Sequence, residues 1–291
     1  MLTLDQLNTM DRTAFIATTG DVFEHAAWVA EAAAGQRPFA TVAALHDAMM
    51  HAVRTAPPAQ QLAFISGHPE LGSKVQRRDI TADSQREQGG LGLDQLSDAE
   101  FAEFQTLNAR YKAKHGFPFI ICVRRQTRDA ILAALDKRSA LPRDAELAAA
   151  IGEIGYITRL RLVAKVDGPG TPQTNGRLSS HVLDTATGKP APGVKLVLSE
   201  IGRSARGVLK EAITNTDGRT DQPLISGEPL RAGTYELTFH AGDYFRRAGL
   251  PLAEPPFVDI VPLRFGIAEP EGHYHVPLLV SPWSFSTYRG S

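Results

Sequence analysis

The stretch Asp167-Gly168-Pro169-Gly170-Thr171-Pro172-Gln173-Thr174-Asn175 divides the chain into two parts that differ in their sequence pattern. It combines glycine and proline with polar residues and has no large apolar side chain, a composition typical of a linker between domains. At roughly 150 residues per domain, a chain of 291 residues is expected to form two domains. We therefore predict a domain over 1–166, a linker over 167–175 and a second domain over 176–291.

Residues before this stretch follow a helical period. The clearest example is 98–115, where apolar residues recur at every third or fourth position, namely Phe101, Phe104, Leu107 and Tyr111. Ser97 and Glu100 form a capping-box pattern at its start, and Asp21 and Glu24 form a similar pattern before 22–34. Helical periods also cover 42–54, 128–138 and 143–165. Together these patterns predict an all-α domain of about eight helices.

Residues after the linker follow a strand period. In 234–239 apolar and polar side chains alternate along the chain. Glycine-containing turn sequences such as Asn215-Thr216-Asp217-Gly218 separate further β-prone runs. Those runs are 194–199, 207–214, 257–263 and 273–280. Short strands spaced by about ten residues are typical of a β-sandwich, so we predict an all-β sandwich over 176–291.

The composition is that of a soluble globular protein, with 43% hydrophobic and 22% charged residues and a formal net charge of −1. The balanced charge gives no electrostatic support for a nucleic-acid partner. No apolar run approaches the roughly 20 residues of a membrane helix, and 1–11 do not resemble a secretory signal. The single cysteine, Cys122, excludes an intrachain disulfide and fits a reducing compartment. We therefore expect a cytoplasmic protein that binds neither nucleic acid nor a membrane.

One loop in the helical part concentrates groups that could transfer protons. His68 lies in Ser66-Gly67-His68-Pro69-Glu70-Leu71-Gly72, where Pro69 disfavours a helical backbone at the preceding residue and exposes the imidazole on a tight loop. The segment Ser84-Gln85-Arg86-Glu87-Gln88 adds polar groups downstream. If Glu87 approaches His68, its carboxylate would orient the imidazole and raise its pKa. The alternative is a pair of polar loops that only connect helices.

A second set of candidates lies in the β part. His273 and His275 share one face of a predicted strand because side chains alternate along it. His181 is a third candidate, and Arg219 follows a turn, from which its guanidinium could grip an anionic or carbonyl-rich ligand. The histidines could hold a metal, serve a hydrolytic site or simply face solvent. No Cys-x-x-Cys or His-Glu-x-x-His pattern adds further ligands, so we predict no metal site.

Residues 176–291 resemble the 5-hydroxyisourate hydrolases, the transthyretin-related enzymes of urate breakdown. The resemblance rests on Leu178-Ser179-Ser180-His181-Val182-Leu183-Asp184, Thr216-Asp217-Gly218-Arg219, His273-Tyr274-His275-Val276-Pro277-Leu278-Leu279-Val280-Ser281-Pro282 and the terminal Tyr288-Arg289-Gly290-Ser291. That terminal sequence separates these hydrolases from the hormone carrier transthyretin. The resemblance implies three catalytic residues, His181, Arg219 and His275. It also implies that the substrate pocket is lined by Tyr288, Arg289, Gly290 and Ser291.

Residues 1–166 resemble the 2-oxo-4-hydroxy-4-carboxy-5-ureidoimidazoline (OHCU) decarboxylases, an all-α family. The matching stretches are Phe64-Ile65-Ser66-Gly67-His68-Pro69-Glu70-Leu71-Gly72, Ser84-Gln85-Arg86-Glu87-Gln88 and Gly116-Phe117-Pro118-Phe119-Ile120-Ile121-Cys122-Val123. The resemblance implies that His68 is the catalytic acid and that Glu87 lies beside it. Implied substrate contacts are Pro69, Ser84, Gln85, Arg86, Gln88, Phe119, Ile120, Ile121, Cys122 and Val123.

The two resemblances together imply a bifunctional allantoin synthase whose domains stand in the opposite order to its reactions. No cofactor is implied, because the substrate's own ring can take up the electrons released by decarboxylation. A homo-oligomer is implied, with tetrameric β domains that share active sites between subunits and dimeric helical domains. Three other functions remain open at this point: a transthyretin-like small-molecule carrier fused to a helical domain, a metal hydrolase built on His273 and His275, and a scaffold whose sites have decayed.

Overall fold

The computed structural model describes residues 1–71, 97–203 and 206–290. None of the helices in this part of the chain is both long enough and apolar enough to cross a membrane. The chain separates into two compact units, a helical unit and a β unit. The helical unit contains Met1–Arg124 and Ala130–Thr174, and the β unit contains Arg125–Asp129 and Asn175–Ser291.

The predicted helical fold of the first part is confirmed. Its helices are α1 (Leu4–Thr9), α2 (Arg12–Thr19), α3 (Ala27–Ala34), α4 (Val42–Thr55), α5 (Pro58–Ser66), α6 (Asp98–His115), α7 (Arg128–Ser139) and α8 (Arg143–Lys165). Apolar faces of these helices meet in one core that includes Phe15, Leu45, Met49 and Ile154. Burial of such side chains supplies the main stabilising free energy, at about 25 cal/mol per Å² of apolar surface.

Helix α6 begins and ends as its sequence pattern predicts. The Ser97 hydroxyl accepts a hydrogen bond from the backbone N–H of Glu100, and the Glu100 carboxylate accepts one from the backbone N–H of Ser97. This reciprocal capping satisfies N–H groups that a helix leaves without partners in its first turn. Gly116 ends the helix in the left-handed region at φ 79°, a conformation that glycine adopts at little cost.

The start of α3 corrects the prediction of a helix over 22–34. The helix begins only at Ala27, and residues 21–26 form turns in which His25 has φ 50°. Glu24 does not cap this helix but buries its carboxylate against the guanidinium of Arg161, at 3.0 Å. A carboxylate removed from water needs a paired cation, and this pairing takes Glu24 out of the expected capping role.

Part of the glycine- and proline-rich stretch packs on the helical unit. Strands β1 (Leu2–Thr3) and β2 (Val166–Asp167) form a short parallel pair. The carbonyls of Pro169 and Gly170 then accept hydrogen bonds from the first N–H groups of α4, at 2.9 and 3.2 Å. Gly170 has φ 60°, and a Cβ at this position would lie 2.7 Å from the Cβ of Thr41. The stretch therefore caps a helix here, a role its composition does not reveal.

The second unit is the predicted β-sandwich. One sheet has the order β10-β9-β3-β4 and the other has the order β6-β5-β7-β8. The strands are β3 (Arg177–Asp184), β4 (Lys189–Pro190), β5 (Lys195–Ile201), β6 (Arg206–Ile213), β7 (Gly233–His240), β8 (Ile260–Ile267), β9 (His273–Ser281) and β10 (Ser284–Ser286). A short helix, α9 (Ala241–Arg247), follows β7. The apolar core fills the space between the sheets.

Candidate active sites

The parallel pair β3 and β9 positions the candidate residues of the β unit. Ser179 lies directly opposite His275 in the register. Residues at the intervening positions, among them Leu178, Ser180, Tyr274 and Val276, are buried in the sandwich. Side chains alternate between the two faces of a strand, so Ser179, His181 and His275 share the outer face of this sheet. The outer face is therefore polar while the inner face is core.

A tight turn brings Arg219 beside His181. The two residues form an isolated antiparallel bridge, and the backbone N–H of Val182 donates to the carbonyl of Gly218 at 2.8 Å. The Asn215 side chain accepts hydrogen bonds from the N–H groups of Asp217 and Arg219, which holds the turn. Gly218 has φ 70°, and a Cβ there would approach the Val182 carbonyl oxygen to 2.3 Å, so the turn requires glycine.

The C-terminal segment returns to His275. The backbone N–H of Gly290 donates to the carbonyl of His275 at 2.9 Å, and the Thr287 hydroxyl donates to the carbonyl of Pro277 at 2.7 Å. A Cβ on Gly290 would lie 2.7 Å from Cδ2 of the His275 ring, so a glycine is needed at this approach. Tyr288 is exposed. Arg289 lies over the ring of Tyr274, with its Cζ 4.6 Å from the centroid. Ser291 is outside the described residues.

Both histidines of this site favour the neutral form. Burial lowers the pKa of His181, and the nearby Arg219 cation lowers it further. Burial is also the largest cause of the lowered pKa of His275, followed by the charges of Arg219 and His181. Within the described part of the chain, Nε2 of His181 is buried without a hydrogen-bond partner. Neutral imidazoles near pH 7 can accept a proton, which suits general-base chemistry.

In the helical unit, His68 follows the end of α5. Its Nδ1–H donates to the carbonyl of Phe64 at 3.0 Å, because a carbonyl oxygen can only accept. This bond fixes the ring and leaves Nε2 for chemistry. Burial lowers the pKa of His68, and the charge of Glu24 acts in the opposite direction. The imidazole is therefore oriented by the backbone of its own helix.

A cavity next to His68 is lined by every described residue that the resemblance to the decarboxylases implies. It is lined by His68, Pro69, Leu71, Phe119, Ile120, Ile121, Cys122, Val123, Arg124, Ile157, Leu160 and Arg161. Cys122 is buried, and its backbone N–H donates to the Glu153 carboxylate at 2.7 Å. The implied contacts Ser84, Gln85, Arg86 and Gln88, together with Glu87, lie outside the described residues.

Two residues near these sites were missed by the sequence analysis. Arg161 lines the cavity of the helical unit, one helical turn beyond Ile157 on α8. A charged residue on an otherwise apolar helix face was the available signal. Ser179 lies between two histidines, with its hydroxyl 3.0 Å from Nδ1 of His275 and 3.2 Å from Nε2 of His273. The parallel register that brings these three residues together cannot be read from local patterns.

In comparisons with known proteins, the helical part and the β part of the chain match two different families. The family model described as OHCU decarboxylase matches residues 8–163, and the model described as HIUase/Transthyretin family matches residues 178–290. The 5-hydroxyisourate hydrolase 2 of Rhizobium meliloti is 57% identical over 117 residues, which are 40% of this chain and 98% of that protein. The 2-oxo-4-hydroxy-4-carboxy-5-ureidoimidazoline decarboxylase of Haloferax volcanii is 38% identical over 164 residues, which are 56% of this chain and 96% of that protein.

One solved structure is similar along the whole chain. The crystal structure of (S)-allantoin synthase is 36% identical in sequence, has a TM-score of 0.55 and covers 100% of both chains. The matched residues of the two family models fall in the helical unit and in the β unit. The chain therefore belongs to the OHCU decarboxylase family through its helical part and to the HIUase/transthyretin family through its β part.

Proposed function

We propose that this chain converts 5-hydroxyisourate to (S)-allantoin in two consecutive steps, with hydrolysis in the β unit followed by decarboxylation in the helical unit. Membership of both families and the full-length similarity to (S)-allantoin synthase support this function. The structural observation that carries it is the polar outer face of β3 and β9, which gathers His181, Arg219 and His275. A carrier of apolar ligands has no need of such a face.

Hydrolysis opens a ring amide by adding water. The step needs a base for the water proton and a donor for the oxygen that becomes negative. We assign the base to His275, which is favoured in its neutral form by the lowered pKa, with His181 fixing the substrate. Arg219 would orient the water or offset the developing negative charge. The chain's last residues, from Tyr288 to Gly290 and on to Ser291, would line this pocket.

Decarboxylation breaks the bond between a ring carbon and its carboxylate. Carbon dioxide leaves, and the bonding electrons pass into the conjugated ring of the substrate. We assign the delivery of a proton to the ring carbon that becomes the stereocentre of allantoin to Nε2 of His68. Because Nδ1–H stays bonded to Phe64, Nε2 carries no hydrogen in the neutral ring, so it first takes up one proton from solvent and then passes that proton to the carbon. Glu87 would hold the imidazole, and Arg161 would pair with the anionic substrate from the cavity wall. Protonation from one face would give one enantiomer of allantoin.

The function is tested by supplying 5-hydroxyisourate, made in place from urate, to the full chain. Ultraviolet absorbance follows loss of the substrate and of OHCU, and circular dichroism follows the appearance of a single allantoin enantiomer. Both intermediates also decay without enzyme, so the uncatalysed rates are subtracted. Decay of either intermediate at only its uncatalysed rate would contradict the corresponding activity.

His68→Asn separates the two steps. The variant should lose decarboxylation by about 100-fold or more, the usual contribution of a general acid, while hydrolysis continues and allantoin forms without enantiomer bias. His275→Ala should lose hydrolysis while decarboxylation of OHCU continues. If decarboxylation survived in His68→Asn with its enantiomer bias intact, the assignment of His68 would be wrong.

We also propose a homo-oligomer in which β domains associate as tetramers and helical domains as dimers. Large apolar side chains are exposed along or beside the edge strands β8 and β10, namely Phe257, Ile260, Trp283 and Phe285. Exposed apolar groups of this kind are typical of association surfaces. Light scattering of the full chain tests the assembly, and a monomer would contradict it. A cytoplasmic location remains a proposal, supported by the presence of a single cysteine, which excludes an intrachain disulfide.

A further inference from the structure

We propose that Ser179 is a positioning residue for hydrolysis, which sets the tautomer and ring orientation of His275 by linking it to His273. The proposal rests on the assignment of His275 as the base of the hydrolytic step. Ser179 itself would not touch the substrate. It would act through one ring nitrogen of His275 and leave the other free for the reaction.

The backbone places these three side chains in one row. In the register of β3 and β9, Ser179 is opposite His275, and Arg177 is opposite His273. The side chains of Ser179, His273 and His275 therefore project from the same face of the sheet. The Ser179 hydroxyl lies 3.0 Å from Nδ1 of His275 and 3.2 Å from Nε2 of His273, and both distances are within hydrogen-bond range.

Counting protons leaves two arrangements that use both bonds when the imidazoles are neutral. A hydroxyl has one hydrogen, and a neutral imidazole has one N–H. The hydroxyl therefore accepts from one ring and donates to the other. If Ser179 donates to Nδ1 of His275, then Nε2 of His275 carries the hydrogen and cannot take a proton from water. If Nδ1–H of His275 donates to Ser179, then Nε2 has a free lone pair.

The second arrangement is the one that suits a base. In it, Nδ1–H of His275 donates to the Ser179 oxygen, and the Ser179 hydroxyl donates to Nε2 of His273. When Nε2 of His275 takes the proton from water, both hydrogen bonds stay as they were. No ring has to flip and no tautomer has to change, so the site is already arranged for the charged product of the step. His273 thereby acquires a function as the last acceptor of the row.

The neighbouring serine supplies a matched control. Ser180 is on the same strand but faces the core, where its hydroxyl donates to the carbonyl of Val276 at 2.8 Å. Ser180→Ala removes a hydroxyl from the same strand without touching either histidine. It can change stability, but it leaves the row of His273, Ser179 and His275 intact.

The experiment measures kcat and KM for 5-hydroxyisourate hydrolysis in the full chain. Ser179→Ala should lower kcat by about 10-fold, the scale of one hydrogen bond to a catalytic imidazole, with KM nearly unchanged. Ser179→Thr keeps the hydroxyl and should restore most of the rate, and Ser180→Ala should keep the wild-type kcat. Decarboxylation in the same chain is the internal standard, because all these changes lie in the β unit.

Further variants separate failure of this proposal from failure of the proposed base. The double variant Ser179→Ala/His273→Ala should be no slower than Ser179→Ala, because His273 acts through the hydroxyl. Additive losses would overturn the link to His273. If His275→Ala is inactive but Ser179→Ala has the wild-type kcat, the positioning role is wrong while the base assignment stands. If His275→Ala hydrolyses 5-hydroxyisourate normally, the assignment of His275 as the base is wrong. If Ser179→Ala and Ser180→Ala lose kcat equally, the loss comes from altered packing of the strand, and the positioning role of Ser179 is wrong.

Discussion

Glu24 and Arg161 are separated by 137 residues in sequence, yet their side chains form a buried ion pair with a distance of 3.0 Å between Nη1 and Oε2. Arg161 also lines the cavity next to His68. Glu24 therefore holds in place the guanidinium that would face the anionic substrate. A carboxylate that does not line the cavity is thus paired with a cation that does.

Glu24→Gln should damage both stability and decarboxylation. Removing one charge from a buried pair costs about 3–5 kcal/mol, because the partner charge stays buried. We expect a lower melting temperature and, at temperatures where the variant is folded, a higher KM for OHCU. Thermal unfolding and steady-state kinetics measure the two effects. Asp21→Asn, which removes an exposed ion pair with Lys165, should change neither. An unchanged KM in folded Glu24→Gln would contradict the positioning of Arg161 by Glu24.

Gly290→Ala should impair hydrolysis specifically. The new Cβ would lie 2.7 Å from Cδ2 of His275, closer than carbon atoms approach without a shift, so either the ring or the terminal segment must move. We expect kcat for hydrolysis to fall at least 10-fold while decarboxylation is retained. The matched control is Gly207→Ala on β6, where an added Cβ meets nothing within 4 Å. Hydrolysis at the wild-type rate in Gly290→Ala would show that this close approach is not required.

The pH dependence of hydrolysis should reflect the lowered pKa values of His181 and His275. A base must be neutral, so the rate should fall as pH drops through a pKa below the ordinary value of about 6.5. Arg219→Gln removes a cation that disfavours imidazolium, so the acid limb should move to higher pH. The pKa that sets this limb should still lie below the ordinary histidine pKa, because burial, the larger cause of its lowering, remains.

The same variant should also lower the rate about 100-fold if Arg219 stabilises developing charge. Profiles of kcat/KM between about pH 5 and 8 provide the measurement. Arg177→Gln is the control, since its charge contributes least among the named causes for His275 and should shift the limb less. An acid limb at the same pH in Arg219→Gln and in the wild type would contradict the electrostatic coupling.

The role of the glycine- and proline-rich stretch can be tested by Gly170→Ala. A flexible linker would tolerate this change, whereas the structure gives Gly170 a positive φ and places Thr41 2.7 Å from the new Cβ. We expect the helical unit to lose about 1–3 kcal/mol of stability, measured by urea unfolding. Gly35→Ala, where nothing lies within 4 Å, should be neutral. Equal stability of both variants would support a flexible linker instead.

The sequence predicts the two fold classes because periods of helix and strand are local properties. It also places His273 and His275 on one face of a strand because side chains alternate, and Arg219 after a turn, with His181 as a further candidate. It does not predict that Ser179 faces His275, because this depends on a parallel register between strands 96 residues apart. The sequence also misassigns Glu24. Its spacing from Asp21 matches a capping box, but in the structure its carboxylate pairs with Arg161, which is distant in sequence.

The short pair of β1 and β2 brings the segment before α1 next to the segment that follows α8, with Leu2 opposite Val166. Because these two segments are adjacent, they could be joined directly while new termini are introduced in another loop. We therefore expect circularly permuted versions of the helical unit to fold. The same closure means that another domain would be attached at nearly the same place on its surface through either end. The order in which two such genes are joined is then of little structural consequence, and a decarboxylase can precede the hydrolase that supplies it.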